Sequence, residues 1–91
     1  MKLTYDPQKR ARTLAERGLD FDDATQVFAG QTIDLLDDRK DYGEVRWVTY
    51  GLLNGRIVAL VWTPRGTARH IISMRKANDR EQKAYRDELG P

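Results

Sequence analysis

His70, the one histidine of the chain, stands in the run Ala68-Arg69-His70-Ile71-Ile72-Ser73-Met74-Arg75-Lys76. An imidazole with an ordinary pKa of about 6.5 can take or give a proton near neutrality. Guanidinium groups nearby could hold phosphate through paired N–H donors. If the run is a strand, side chains alternate, so Ala68, His70, Ile72 and Met74 share a core-like face and Arg69, Ile71, Ser73 and Arg75 share the other. On that second face the two guanidiniums would stand about 20 Å apart, at ~3.3 Å per residue, a spacing that suits a track for phosphates better than one clamp. Arg46, between Val45 and Trp47, could lie near the track, and Arg65, Lys76 and Arg80 add charge at its ends. Glu81 and Tyr85 follow at i and i+4 on one helical face. Each of these groups also has a plainer reading. The arginines could be a polar sheet face with surface ion pairs, Glu81 the anchor of an arginine, Tyr85 a core ring with a wet hydroxyl, and His70 a satisfied, half-buried imidazole.

Other chemistries find little support. The chain has no cysteine, which excludes disulfides, thiolate nucleophiles and Cys-ligated zinc. With one histidine a metal site would have to be built almost wholly from carboxylates, so no metal and no cofactor is expected. Gly-rich phosphate loops and a Gly-x-Ser-x-Gly elbow are absent from the sequence.

The elements that must position these residues can be read locally. Leu3-Thr4-Tyr5 is a short strand, and Asp6-Pro7 supplies an N-cap and a proline at the first helical position. A helix then runs to about Arg17, with Ala11, Leu14 and Ala15 as its inward stripe and Gly18 as its C-cap. Asp20 opens a second helix through Phe21, Ala24, Val27 and Phe28, ended by Gly30. Residues 31–36 read as a strand and the acidic stretch 37–44 as a loop. Asn54-Gly55 predicts a two-residue type I′ turn, making residues 45–53 and 56–63 a hairpin. Pro64-Arg65-Gly66-Thr67 turns the chain into a further strand, 68 to about 75, and the capping-box pattern Asn78-Asp79-Arg80-Glu81 opens a last helix carrying Ala84, Tyr85 and Leu89. The order β-α-α-β-β-β-β-α predicts an α+β fold, a small, mainly antiparallel sheet with its helices on one face. Strand 56–63 is apolar on both sides, so its second face needs a cover, either a partner chain or a long loop folded back.

At 91 residues the chain is expected to be one domain, 1–91. No apolar run approaches the ~18–20 residues that span a bilayer, so a cytoplasmic protein without membrane contact is expected. Net charge is only +2 but segregated: residues 1–19 carry five bases and two acids, 20–44 two bases and eight acids, and 45–91 nine bases and four acids. A basic surface beside an acidic one can draw phosphate to one side only; a solvated mixed surface is the plainer alternative.

Four stretches together resemble the BrnT family of type II toxins, small proteins similar in fold to RelE-type ribonucleases. They are Tyr5 to Lys9; Leu14 through Gly18-Leu19-Asp20-Phe21 to Val27-Phe28; Gly43-Glu44-Val45-Arg46 through Gly51; and His70 to Ala77 with Glu81 and Tyr85. Positions that match the family are Lys9, Arg46, Ser73, Arg75, Glu81 and Tyr85. Family members usually have Lys-His-Gly where this chain has Glu16-Arg17-Gly18, and an arginine where it has His70. Either the two positions lie close and the swap keeps the same pair of groups, or the original histidine's role is lost. The resemblance implies metal-independent RNA cleavage by attack of the 2′-hydroxyl on the adjacent phosphate. It also implies translation arrest and a ribbon-helix-helix-type antitoxin, through which alone operator DNA is bound. On this reading Arg46 and Arg75 stabilise the phosphate with Lys9 and Arg17 assisting, His70 transfers the proton, and Arg65, Arg69, Lys76 and Arg80 bind RNA that is free or on the ribosome. All these cations are then expected to converge on one pocket, with the antitoxin over the face of Trp62 and Arg69. The rival readings are a non-enzymatic RNA- or ribosome-binding module and a co-repressor subunit that only holds its antitoxin.

Overall fold

A computed structural model describes residues 2–90. Five strands, β1 (Lys2–Tyr5), β2 (Thr32–Leu36), β3 (Trp47–Leu53), β4 (Arg56–Arg65) and β5 (Ala68–Lys76), form one sheet in the order β1-β5-β4-β3-β2. β1 lies parallel to β5 and every other pair is antiparallel. The helices are α1 (Pro7–Arg17), α2 (Ala24–Ala29) and α3 (Asp79–Leu89), with a 3₁₀ turn, Phe21–Asp23, ahead of α2.

Local chemistry accounts for the ends of these elements. The Asp6 carboxylate accepts from the Gln8 amide at 2.9 Å ahead of Pro7, and Gly18 closes α1 at φ 68°, a left-handed conformation that costs glycine little. Asn54 and Gly55 both take positive φ, 52° and 80°, as a type I′ turn requires. The capping box of α3 is complete, with Glu81 N–H donating to Asn78 and Asn78 N–H to Glu81. Pro64 is held within β4, beyond Trp62 where the pairing with β3 ends, so no ladder bond to β3 is lost.

Helices cover both faces of the sheet, not one. Leu19, Phe21, Ala24 and Val27 pack on Leu53, Val58, Leu60, Ile71 and Met74, whereas Ala77 and Leu89 with half-buried Tyr85 pack on Tyr50, Ile57 and Ala59. The two-sided apolarity of β4 is thus satisfied within the chain, by α3, where a partner or a loop was expected. The second correction concerns α1, which buries no residue: Ala11, Leu14 and Ala15 face solvent, and Lys9, Arg10 and Thr13 turn inward. The Arg10 guanidinium accounts for this orientation, because it donates two hydrogen bonds, of 2.8 and 2.9 Å, to Asp20 at the start of the 3₁₀ turn. α2 lies so close to β3 that a Cβ on Gly51 would stand 2.6 Å from Val27 Cγ1. Among the described residues no helix is long and apolar enough to cross a membrane.

Candidate active site

One irregularity in β5 decides which side chains can meet. Val61 pairs with Ser73 but Trp62 pairs with Ile71, so Ile72 has no opposite residue and alternation along β5 is shifted at that point. Ile71 and Met74 consequently enter the same core, and the expected faces are rearranged. Arg69 turns to the α2 side, where its guanidinium lies 3.9 Å from the Phe28 ring centroid and 5.1 Å from that of Trp62. Arg75, opposite Ala59, turns to the α3 side. Arg69 and Arg75 therefore do not form one track.

On the α3 side a cleft of about 460 Å³ opens between Arg17, Ser73, Arg75 and Glu81 at one wall and residues 35–39 at the other, over a floor that includes Val48, Tyr50 and Val61. The Glu81 carboxylate is saturated. It accepts from Arg75 Nη1 and Nη2 at 2.7 and 2.8 Å, from the Tyr50 hydroxyl, and from the Asn78 amide at 2.9 Å. These donors, Arg75 first, hold the Glu81 carboxyl down at about 2 against the opposing effect of burial. Burial, then the hydrogen bond to Glu81, pushes the Tyr50 hydroxyl up to about 12. Near neutral pH Glu81 is an anion that fixes Arg75, and Tyr50 is a neutral donor. Tyr85 does not line the cleft; its ring packs on Tyr50 with centroids 4.6 Å apart.

β1 pairs with β5 only as far as Ile71, which leaves the lower edge of β5 to α1. Arg17 Nη1 donates to the Met74 carbonyl at 2.9 Å, and Lys9, Thr13 and Arg17 face Ile72 and Ser73 across a groove. Lys9 therefore links two groups of residues, because its charge also bears on His70 at the upper end of β5. His70 shares a 2.8 Å hydrogen bond with Thr4. Burial is the main cause lowering its pKa, followed by Arg65 and Lys9 on that side, with Glu44 and Asp6 opposing, so the imidazole is neutral at pH 7.

The remaining candidates are dispersed. Arg46 pairs with Glu44 at 3.2 Å and lies 3.9 Å from the Tyr42 ring centroid; Arg65 reaches the same Glu44 at 3.8 Å. Lys76 and Arg80 are exposed, and only Lys76 lines a depression, at the end of the sheet away from His70. In place of a single pocket there are a lower group (Arg17, Ser73, Arg75, Glu81), an upper group (His70, Arg65, Arg46 around Glu44), Lys9 between them, and Arg69 on the opposite face. Tyr50 is the site residue that local pattern missed. Its signal was the Asn54-Gly55 turn, whose register sets Tyr50 opposite Ala59 and so beside Arg75.

Comparison with known proteins adds one finding. Residues 5–81 match the family described as "Ribonuclease toxin, BrnT, of type II toxin-antitoxin system". A search of curated proteins finds no match to the chain.

Proposed function

From the premise that this chain belongs to the BrnT family of ribonuclease toxins of type II toxin–antitoxin systems, we propose that it cleaves RNA without a metal, at the surface where Lys9 joins the lower and upper ends of β5. The scissile phosphate lies beside Ser73, held by Arg75 and Arg17 from the cleft and by Lys9 from the adjoining groove. The 2′-oxygen forms a bond to phosphorus, the bond from phosphorus to the 5′-oxygen breaks, and a 2′,3′-cyclic phosphate and a 5′-hydroxyl result. Neutral His70 takes the 2′-hydroxyl proton and the Lys9 ammonium gives one to the leaving oxygen. Guanidiniums in fixed positions offset the extra charge of the phosphorane.

The observation that carries this reading is Arg75 locked on a saturated carboxylate at the mouth of an open cleft. Fixed in that way, a donor needs little reorganisation when charge develops on the phosphate. Protonation states support His70 as the base: its imidazole is neutral near pH 7, whereas Glu81 is too weakly basic, Tyr50 keeps its proton, and a guanidinium stays protonated. Cleavage of cytoplasmic messenger, free or on ribosomes, would arrest translation. The test is purified protein on RNA with a chelator present. Multiple cuts that Arg75→Ala and Lys9→Ala each suppress are expected, and wild-type rates in both variants would overturn the assignment.

One observation favours a second reading. Arg17, which cannot act as a base, stands where the family usually has histidine, and a protein deprived of its base could bind RNA or its antitoxin without cutting. Stable RNA retention with no cut product would select that alternative.

The cognate antitoxin, of ribbon-helix-helix type and the sole contact with operator DNA, is placed on the α2 side of the sheet. There Leu36, Trp47 and Trp62 stand opposite one another across three strands, and Arg69 has a buried Nε without a hydrogen-bond partner among the described residues. An acidic residue within an apolar segment fits this shelf. Trp62→Ala with Arg69→Ala is expected to weaken antitoxin binding at least about tenfold; unchanged affinity would move the partner elsewhere.

A further inference from the structure

The lower cleft does not end at Arg17. The same side chain forms part of a second depression of about 310 Å³, with Leu53, Asn54, Arg56, Val58 and Lys76. Arg56 and Lys76 in turn line a third, of about 260 Å³, with Ile57, Gln82 and Arg86. The three hollows thus share walls, and the walls they share are cations. The path runs from the cleft, around the β3–β4 turn, to the last turn of α3.

What sets these cations apart is that they are unpaired and also stand along joined hollows, whereas other cations unpaired among the described residues, such as Lys2, Arg80 and Lys83, line none of the three. Arg10, Arg39, Arg46, Arg65 and Arg75 each have a carboxylate within 4.0 Å, but among the described residues Arg17, Arg56, Lys76 and Arg86 have none. Asp23 is the single acid in the second and third hollows, and no aromatic ring lines either, whereas the cleft itself is lined by Asp37, Asp38 and Glu81. Unneutralised cations in series without stacking surfaces match a repeating anionic backbone, and without rings they offer no face on which bases could stack.

We propose that Arg56, Lys76 and Arg86 form a backbone track that holds single-stranded RNA beyond the reacting nucleotide, continuous with the cleft through Arg17. This rests on the ribonuclease reading and extends it with two residues, Arg56 and Arg86, that the family match alone does not single out. The track grips phosphate and gives affinity without sequence preference. Long RNA is therefore bound more tightly than RNA short enough to occupy the cleft alone.

The test uses the full chain and 2′-O-methyl RNA, which lacks the attacking hydroxyl, in lengths of about 3 and about 12 nucleotides. Each phosphate contact with a single strand contributes about 0.7 to the slope of log K against log salt. Arg56→Ala with Arg86→Ala is expected to lower that slope by about 1.4 and to weaken binding of the longer RNA by at least about tenfold at moderate salt. A charge-matched control, Lys2→Ala with Lys83→Ala, leaves the slope unchanged. If wild type binds the long RNA and the Arg56/Arg86 variant shows the same slope, the track is wrong while the ribonuclease reading stands. If wild type binds neither RNA, that reading itself fails and takes the track with it. If the variant loses antitoxin affinity but keeps its RNA slope, the strip belongs to the protein partner and the track is overturned.

Discussion

The two halves of β5 carry similar side chains and put them to different use. Below Ile72 the strand edge is free of β1, Arg75 is fixed by Glu81, and Arg17 crosses from α1 to cap the Met74 carbonyl. Above Ile72 the edge is covered by β1, His70 meets Thr4, and Arg69 turns to the opposite face against Phe28. One residue without an opposite number separates them. The comparison shows that the register between β4 and β5, and not charge density along the strand, decides which cations share a surface.

The most severe way to break the comparison is to put a charge at the inward position of the lower half. Met74 is fully buried in the core with Phe21, Val58 and Leu60, and Met74→Arg would place a guanidinium there without Glu81, so a loss exceeding about 4 kcal/mol is expected. Deleting Ile72 is the contrast: it has no opposite residue, so Ser73 stays opposite Val61, Ile71 stays opposite Trp62, and both halves keep their faces. Thermal unfolding checks both: a Met74→Arg variant that melts within a few degrees of wild type would show that Met74 of the lower half does not face the core.

Arg75→Ala comes next and tests the lower half alone. Removing one positioned donor from a developing oxyanion typically costs about 10²–10³ in rate, so cleavage should fall at least about a hundredfold. Arg69→Ala, on the other face, should leave RNA cleavage within about threefold of wild type, since it touches nothing in the cleft. Parallel losses in the two variants would merge the two halves into one site after all.

Glu81 gives the third prediction. Its carboxyl falls from 4.5 to about 2 on folding, so the stability it contributes is complete above pH 4.5 and is lost as pH falls toward 2. With side-chain exposures of 41% for Arg75 and 14% for Glu81, a discounted contribution of about 2 kcal/mol is expected. Urea unfolding of Glu81→Gln against wild type should show a gap that closes between pH 4.5 and pH 2. A gap independent of pH would assign the effect to packing.

Much of the domain was legible because its punctuation is local. Asp6-Pro7, Asn54-Gly55 and Asn78 with Glu81 each state a cap or a turn within four residues, and the structure uses each as such. What stayed hidden depends on distant partners. Nothing in Ile71-Ile72 says that one of two adjacent isoleucines will lack an opposite residue, since both suit a strand; the choice is made against Val61 and Trp62 of β4. The stripe Ala11, Leu14, Ala15 has the spacing of a buried face, yet the Arg10–Asp20 pair turns it outward. The apolar second face of β4 did announce a cover, but not that the cover would be α3, because the seat of a helix follows from tertiary packing and not from its own periodicity. The candidate site was accordingly legible as a set of residues and illegible as an arrangement.

The smallest expected effect belongs to His70 and sharpens the upper half. Its folded pKa lies below the unfolded value of about 6.5, because burial and the charges of Arg65 and Lys9 outweigh Glu44 and Asp6. The unfolded chain then binds the proton more readily, so the stability His70 contributes is full above pH 6.5 and declines as pH falls through the folded pKa. His70→Gln should remove that decline, a difference of at most about 1 kcal/mol for a half-buried imidazole. Glu44→Gln separates the two charge effects: without the carboxylate the imidazole should titrate at still lower pH, visible as a displaced proton resonance. The acid limb of the cleavage profile should move with it if His70 takes the 2′-hydroxyl proton. A limb that stays in place while the resonance moves would leave His70 as a packing residue between β1 and β5, and the base would have to be sought among groups that reach the cleft only when RNA is bound.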